Sequence, residues 1–286
     1  MTPEIMPQAD PNRARAGAPA AGGLRPGDFR APLPAALRAA YEFLTLYLAL
    51  ALLAALCLAW TTLALPLFFA LPEKFGAAIG RYAIMIGFRG YARTLAAAGA
   101  YRFDLEELDG LRDDGPLILA PNHPSLIDAP MIMTRHPNVA CVMKSTLMSS
   151  PLLGAGARLA RYVRNDPPRQ MIKESVAHLR RGCALLLFPE GTRTSRAPVN
   201  AISAGIGLIA KRAGVPVQTL LIETDSPFLG KGRPIHRRPR LPITYRVRLG
   251  KRFAPPEDPG AFASELDRYF RGALDAAPQT RWLASR

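Results

Sequence analysis

Between Phe43 and Pro72 the chain runs for 30 residues without a charged side chain. A helix needs ~20 predominantly apolar residues to cross the hydrocarbon of a bilayer, so this run constrains the fold more than any other stretch. Phe43–Leu65 is the best candidate for a spanning portion. The run begins too far from Met1 and is too long to be a cleaved signal peptide. Pro66 and Pro72 each lack an N–H donor and are expected to break or kink the helix. Two topologies follow: one pass across the bilayer, or a hairpin folded back within one leaflet. The soluble alternative is a helix buried in a core. Arg13, Arg15, Arg25, Arg30 and Arg38 precede the run, and Lys74, Arg81, Arg89 and Arg93 follow it. Cations favour the cytoplasm on both flanks, which a hairpin satisfies and a single pass does not. Phe75–Ala100 then reads either as a basic amphipathic helix in the headgroup region or as a packing helix with a solvated arginine face. Residues 36–100 are therefore expected to form a membrane-associated helical region. Residues 1–35, rich in Pro, Ala, Gly and Arg without apolar periodicity, are expected to be a disordered tail.

Lysine and arginine number 37 against 22 acidic residues, a formal net charge of +15. That balance suits a polyanionic partner: nucleic acid, an anionic membrane surface or an acidic carrier. No nucleic-acid motif and no aromatic interleaving of the basic residues occurs, so nucleic acid is disfavoured. The three cysteines, Cys57, Cys141 and Cys183, are odd in number and far apart. They imply neither a disulfide framework nor a zinc site, and they suit a chain whose bulk faces a reducing cytoplasm.

From residue 101 the pattern changes to alternating strand and helix signals. Strands are predicted at Pro116–Ala120, Val139–Met143, Arg161–Arg164, Ala184–Phe188, Val215–Ile222 and Ile243–Leu249. Helices are predicted at Ser125–Arg135, Pro168–Arg181, Ala201–Ala213 and Phe262–Leu274, with Gly214 as a C-cap. Such alternation argues for an α/β domain over residues 101–286, a central, largely parallel sheet flanked by helices. Sites in such folds lie beyond the carboxyl ends of strands. Two motifs fall there.

The first is PNHPSLIDAP, residues 121–130. A His at a strand end can take a proton from a hydroxyl if a carboxylate holds its other ring nitrogen. Asp128, five residues after His123 and across a turn into a helix, can fold back to do so. Alternatively, Ser125 and Asp128 form a capping box and His123 is only a hydrogen-bonded loop residue. The second motif is FPEGTR, residues 188–193. Glu190-Gly191 can make a tight turn that presents backbone N–H groups, and Arg193 can grip a phosphate bidentately. The bland alternative is a surface ion pair between Glu190 and Arg193. Together, at ~60 residues' separation, the two motifs are far more specific than either alone.

On these residues the chain resembles the lysophospholipid acyltransferases, including bacterial 1-acyl-glycerol-3-phosphate acyltransferases. His123 and Asp128 match the family's HxxxxD motif, and Glu190, Gly191, Thr192 and Arg193 its EGTR motif, within a similarity spanning about residues 80–250. The resemblance implies acyl transfer from acyl-CoA or acyl carrier protein to a hydroxyl of a membrane lipid. It implies His123 as the base, Asp128 as its orienting acid, and the EGTR turn as a binder of acceptor phosphate. It implies no acyl-enzyme, no metal and no cofactor, and a catalytic domain on the cytoplasmic face of the cytoplasmic membrane. A thioester is already activated, so proximity, a base and backbone oxyanion donors suffice. Other blocks depart from the pattern. Arg161–Asp166 stands where the family reads like Phe-Ile-Asp-Arg; a one-residue slide recovers Arg164 as a phosphate ligand but turns the strand over. Ser203-Ala204 replace a basic pair, and Thr219 replaces the second Pro of a VPIVPV-like block. The default acceptor is 1-acyl-glycerol 3-phosphate. The alternatives are another hydroxyl-bearing lipid (an aminolipid, a glycolipid or a pigment-linked lipid) or a non-catalytic membrane scaffold.

Nine cations, Lys231, Arg233, Arg237, Arg238, Arg240, Arg246, Arg248, Lys251 and Arg252, lie within 22 residues. They could meet anionic headgroups, the phosphates of CoA or an acidic carrier protein; the alternative is a solvated basic edge strand. His136, His178 and His236 have no acid at similar spacing and are read as surface residues.

Overall fold

The computed structural model describes residues 34–275. The chain divides into two compact units at Ala39/Ala40. Of the first, only Pro34 and the opening of helix α1 are described, so the expected tail lies almost wholly outside the described residues. The second unit holds everything that follows.

Helix α1 (Ala35–Ala70) runs through Pro66 without interruption, and α2 (Glu73–Ala97) begins after Pro72. The expected break at Pro66 is thus absent, and the chain turns only at Leu71-Pro72. Proline removes one hydrogen bond from the ladder, a small loss in a helix of 36 residues. The Tyr41 hydroxyl bonds the Ala98 carbonyl and the Tyr91 hydroxyl bonds that of Ala49, so the two helices run antiparallel. α1 is long and apolar enough to cross a membrane, yet only 6% of its most apolar window is buried.

α2 inverts its expected face. Arg81 is buried, and Arg89 Nε donates to the Thr134 carbonyl at 3.0 Å, while Phe75, Ile79, Tyr82 and Ile86 are exposed. The helix packs on the domain through small residues: a Cβ on Gly80 would lie 2.8 Å from the Ala160 backbone. The arginines reach carbonyls and buried polar groups, Met85, Tyr91 and Leu95 pack inward, and Phe75, Ile79, Tyr82 and Ile86 are left outward.

Among the described residues the sheet has seven strands: β1 (Tyr101–Asp104), β2 (Ile118–Pro121), β3 (Val139–Met143), β4 (Val163–Arg164), β5 (Ala184–Leu186), β6 (Val217–Thr224) and β7 (Ile243–Phe253). Their order is β1-β7-β6-β2-β5-β3-β4. β6 and β7 pair antiparallel and every other neighbouring pair is parallel. The period of two along each strand divides the core. Leu117 and Leu119 face a cluster shared with α2 and α3 (Asp128–Met133), whereas Ile118 and Ala120 face one shared with α6 (Pro168–Arg180), α7 (Gly205–Ala213) and α8 (Pro259–Asp275). β2 is therefore buried on both faces, as a central parallel strand must be. Two short helices, α4 (Ser145–Met148) and α5 (Gly154–Leu159), follow β3.

At Thr219, where the VPIVPV-like block departs, β6 carries a register shift. The Thr219 hydroxyl donates to the Lys251 carbonyl at 2.8 Å and Gln218 Nε2 to that of Gly250 at 2.7 Å. Side chains thus satisfy backbone acceptors that the ladder skips.

Candidate active site

β2 ends at Pro121, and the next residues turn sharply into α3. Asn122, fully buried, fixes the exit: its amide donates to the Ile222 carbonyl at 3.0 Å and its oxygen accepts the Ile222 N–H at 2.7 Å. It thereby ties the loop to β6. His123 Nδ1 lies 2.7 Å from Asp128 Oδ2, which also accepts the Ser125 N–H at 2.8 Å. Half of a capping box is therefore present: Asp128 reaches back to the Ser125 backbone, but the Ser125 hydroxyl turns to the Phe228 carbonyl at 3.4 Å. One carboxylate oxygen serves both readings of the motif. Tyr245 donates to the other, Oδ1, at 2.7 Å. Burial pushes the Asp128 carboxyl above its usual range; His123, the Ser125 N–H and Tyr245 oppose that rise. With Nδ1 engaged, Nε2 is the His123 nitrogen left for a substrate. The ring stacks on Phe188, centroids 3.8 Å apart, which limits its rotation.

The second motif approaches from β5. Gly191 adopts a positive φ of 66°, as the tight turn after Glu190 requires. Glu190 turns inward rather than toward a ligand. Its Oε1 accepts the His123 N–H at 2.9 Å and the Thr194 hydroxyl at 2.7 Å, and Oε2 accepts the Asn200 N–H at 2.8 Å. Burial raises its carboxyl and those donors oppose the rise. Glu190 therefore splices the two motif loops together, a job reinforced by the Thr194 N–H on the His123 carbonyl at 2.6 Å. Arg193 NH1 donates to the carbonyls of Leu229 at 2.9 Å and Gly230 at 3.2 Å. It pins the loop between β6 and β7 over the site.

A cavity of about 1430 Å³ connects these groups to the apolar helices. Leu46, Leu53 and Trp60 of α1 and Tyr82 of α2 line one part of it; His123, Thr192, Arg193, Lys144 and Lys231 line another. Gly191 also reaches its wall. Glu190 and Arg164 do not: Glu190 is enclosed, and Arg164 faces outward beside Asp166 at 3.7 Å, with its side chain 56% exposed. Asn165 lines the cavity in its place. The strand register that would recover Arg164 puts its side chain on the wrong face. The phosphate-binding role expected of Glu190 and Arg164 is thus not supported by their placement.

Sequence reasoning missed two residues at the site. Lys144 follows directly on the carboxyl end of β3, where the strand-end rule would have found it. Tyr245 gave no local signal, because it reaches Asp128 from 117 residues away along the chain. His136 and His178 also differ from expectation; both are buried, His136 accepting the Asn138 N–H and His178 facing Arg81. Much of the basic stretch is spent internally: Arg246 pairs with Asp104, Lys251 with Glu265 and Arg252 with Asp114.

Residues 102–223 match a family model described as Acyltransferase. The chain is 27% identical over 150 residues to the chloroplastic 1-acyl-sn-glycerol-3-phosphate acyltransferase BAT2 of Brassica napus, covering 49% of this chain and 44% of that protein. It is 26% identical over 138 residues to the chloroplastic LPAT1 of Arabidopsis thaliana, covering 46% and 39%. The chain thus spans less than half the length of these curated relatives. Its fold is similar to that of the 1-acyl-sn-glycerophosphate acyltransferase PlsC of Thermotoga maritima, at TM-score 0.61 and 20% identity, over 84% of this chain and 98% of that one. The His–Asp pair and the splice between the motif loops lie within residues 102–223, the part of the chain that is similar to the acyltransferases.

Proposed function

We propose that the protein transfers a fatty acyl chain from a thioester, acyl-CoA or acyl carrier protein, to the free hydroxyl of 1-acyl-glycerol 3-phosphate at a membrane surface. The observation that carries this reading is one cavity that joins His123 to cations on one side and to the apolar helices on the other. A lysolipid is a molecule of that shape: phosphate, then hydroxyl, then an acyl chain.

In the reaction, His123 Nε2 takes the acceptor hydroxyl proton as the oxygen attacks the thioester carbonyl. The tetrahedral intermediate collapses with cleavage of the C–S bond, and the imidazolium returns its proton to the leaving thiolate. Asp128 keeps the ring in the tautomer that leaves Nε2 unprotonated and stabilises the imidazolium. Lys144, Arg193 and Lys231 hold the phosphate. No protein nucleophile and no metal is needed, because the thioester is already activated.

The geometry of α1 favours attachment within one leaflet. The helix is tied to the domain from Glu42, which accepts the Leu241 N–H at 3.2 Å, to Thr61, whose hydroxyl donates to the Leu152 carbonyl at 2.9 Å. Those contacts span ~29 Å of helix at 1.5 Å per residue. A helix held along such a length lies beside its domain, with its uncovered apolar face toward lipid. The domain then sits on the cytoplasmic side, where thioester donors are made.

The test is acylation of 1-acyl-glycerol 3-phosphate by the purified full chain, with acyl-CoA and with acyl carrier protein as donors, read by mass spectrometry of the product. Phosphatidic acid is the expected product. Turnover only of an acceptor without a phosphomonoester would overturn the acceptor assignment, and no turnover with any lysolipid or donor would favour the scaffold reading.

A further inference from the structure

Asp128 is fully buried, and its two oxygens are divided between partners with different jobs. Oδ2 holds the His123 ring and the Ser125 N–H; Oδ1 holds the Tyr245 hydroxyl at 2.7 Å. Tyr245 lies on β7, 1% exposed, opposite Phe103 of β1 in the register of that pair. Its ring meets Phe103 edge-on, centroids 6.1 Å apart, so packing fixes where the hydroxyl points. A buried carboxylate needs donors on both oxygens, and a buried phenol needs an acceptor. Burial and the Asp128 charge both push the Tyr245 hydroxyl to hold its proton, so the phenol is the donor and the carboxylate the acceptor.

We propose that Tyr245 is a positioning residue for acyl transfer, the outer member of a Tyr245–Asp128–His123 chain of hydrogen bonds that aims the imidazole and sets how tightly the His–Asp pair holds its proton. The proposal rests on the reading of His123 as base. A bond from a neutral O–H to a carboxylate is among the stronger ones. It draws charge from Asp128, and this lowers the proton affinity of the pair as a unit. It also stops the carboxylate from rotating about Cβ–Cγ, so that Oδ2 stays on Nδ1. The groups that face this pair come from several elements: Ser125 N–H and His123 from the turn, Tyr245 from β7 and Tyr101 from β1. Glu190 lies beyond His123; Tyr91 of α2 and Asp225 lie beyond Tyr101. Tyr245 alone of the two nearby tyrosines is bonded to the carboxylate among the described residues.

Removing the hydroxyl with Tyr245→Phe leaves the ring packing intact. The expected result is a fall in kcat of about 10–100-fold, the range implied by one hydrogen bond to a charged group, with KM for the acceptor little changed. The acid limb of the kcat/KM profile should move to higher pH, because the pair loses a donor that favours its anion. On an Asp128→Asn background the same change should cost nothing further. A merely structural Tyr245 would instead multiply the loss and leave the acid limb in place; either result overturns the proposal. Should Tyr245→Phe not fold, 3-fluorotyrosine at position 245 provides a nearly isosteric, stronger donor and should move the acid limb to lower pH; an unmoved limb overturns the proposal equally. Titration of the pair by 15N NMR of histidine-labelled full-length protein needs no turnover. A displaced midpoint with no activity would sink the acyl-transfer reading alone, and an unchanged midpoint with intact activity would sink the role of Tyr245 alone.

Discussion

At the scale of single residues, His123 and Glu190 are neighbours with separable roles. If His123 is the base, as proposed, His123→Ala should lower kcat/KM by about 10²–10⁴-fold, the range for loss of a general base, with thermal stability near that of the parent. Single-turnover acyl transfer checks it; a variant within threefold of the parent would remove His123 from the chemistry. Glu190 receives three donors, one of them the His123 backbone N–H. Glutamine offers one acceptor oxygen and turns an NH2 toward donors. Glu190→Gln should therefore cost about 1–3 kcal/mol of stability, the price of leaving buried donors unsatisfied, and lower kcat by displacing the His123 turn. Chemical denaturation and steady-state kinetics read the two effects. If stability stays intact while KM for the acceptor rises, Glu190 touches the substrate after all.

At the scale of elements, α4 and α5 explain both a prediction and a blind spot. Gly156 faces the indole of Trp60, and a Cβ there would lie 2.4 Å from its Nε1. Gly156→Val should push α1 off α5, opening the cavity wall to which Trp60 belongs. The expected outcome is a lower melting temperature and weaker turnover of long-chain substrates than of short-chain ones. Equal loss on both would show that the wall does not bind the chain. The stretch Ser149–Leu159 gave no helical period in the sequence, because close approach of backbones selects Gly, Ala and Ser rather than an apolar stripe. β1 was hidden because it lies at the sheet edge and mixes charged with aromatic residues, with only Tyr101 buried, so it gives no apolar run. The central elements were legible: β2, β3 and β5 read as apolar runs since both faces of each are buried, and Gly214 marked the end of α7 through its positive φ of 68°. The motif loops were legible as residue types and not as roles, because which of Glu190, Arg193 and Arg164 reaches the cavity depends on side-chain direction at turns. The arginines of α2 misled for a related reason, since helical spacing locates a face but not what covers it.

At the scale of the whole molecule, α2 is fastened to the α/β domain by one buried cation. Arg81 Nε donates to the Ala160 carbonyl at 3.0 Å, NH1 to Asn138 Oδ1 at 2.8 Å, and NH2 meets His178 Nδ1 at 3.2 Å. A guanidinium can only donate, so Nδ1 accepts and the imidazole is neutral with its proton on Nε2. Burial, then Arg81 and Arg181, lower the His178 pKa from 6.5 to about 4. In the unfolded chain this His takes a proton near pH 6.5, whereas in the folded protein it does so only near 4. Its contribution is therefore complete above pH 6.5 and is lost progressively as the pH falls toward 4. The buried carboxyls of Asp128 and Glu190 act with the opposite sign: burial raises their folded pKa, so their unfavourable charging appears as pH rises. A bare melting curve against pH mixes these contributions, and a variant isolates one of them. His178→Gln keeps an acceptor for Arg81 and cannot be protonated. Between pH 6.5 and 4 its melting temperature should fall less steeply than that of the parent, by scanning calorimetry, while above pH 7 the two curves should run parallel. Parallel curves across the whole range would mean that His178 takes up its proton over the same pH range folded and unfolded, and that Arg81 holds α2 without relying on a neutral imidazole.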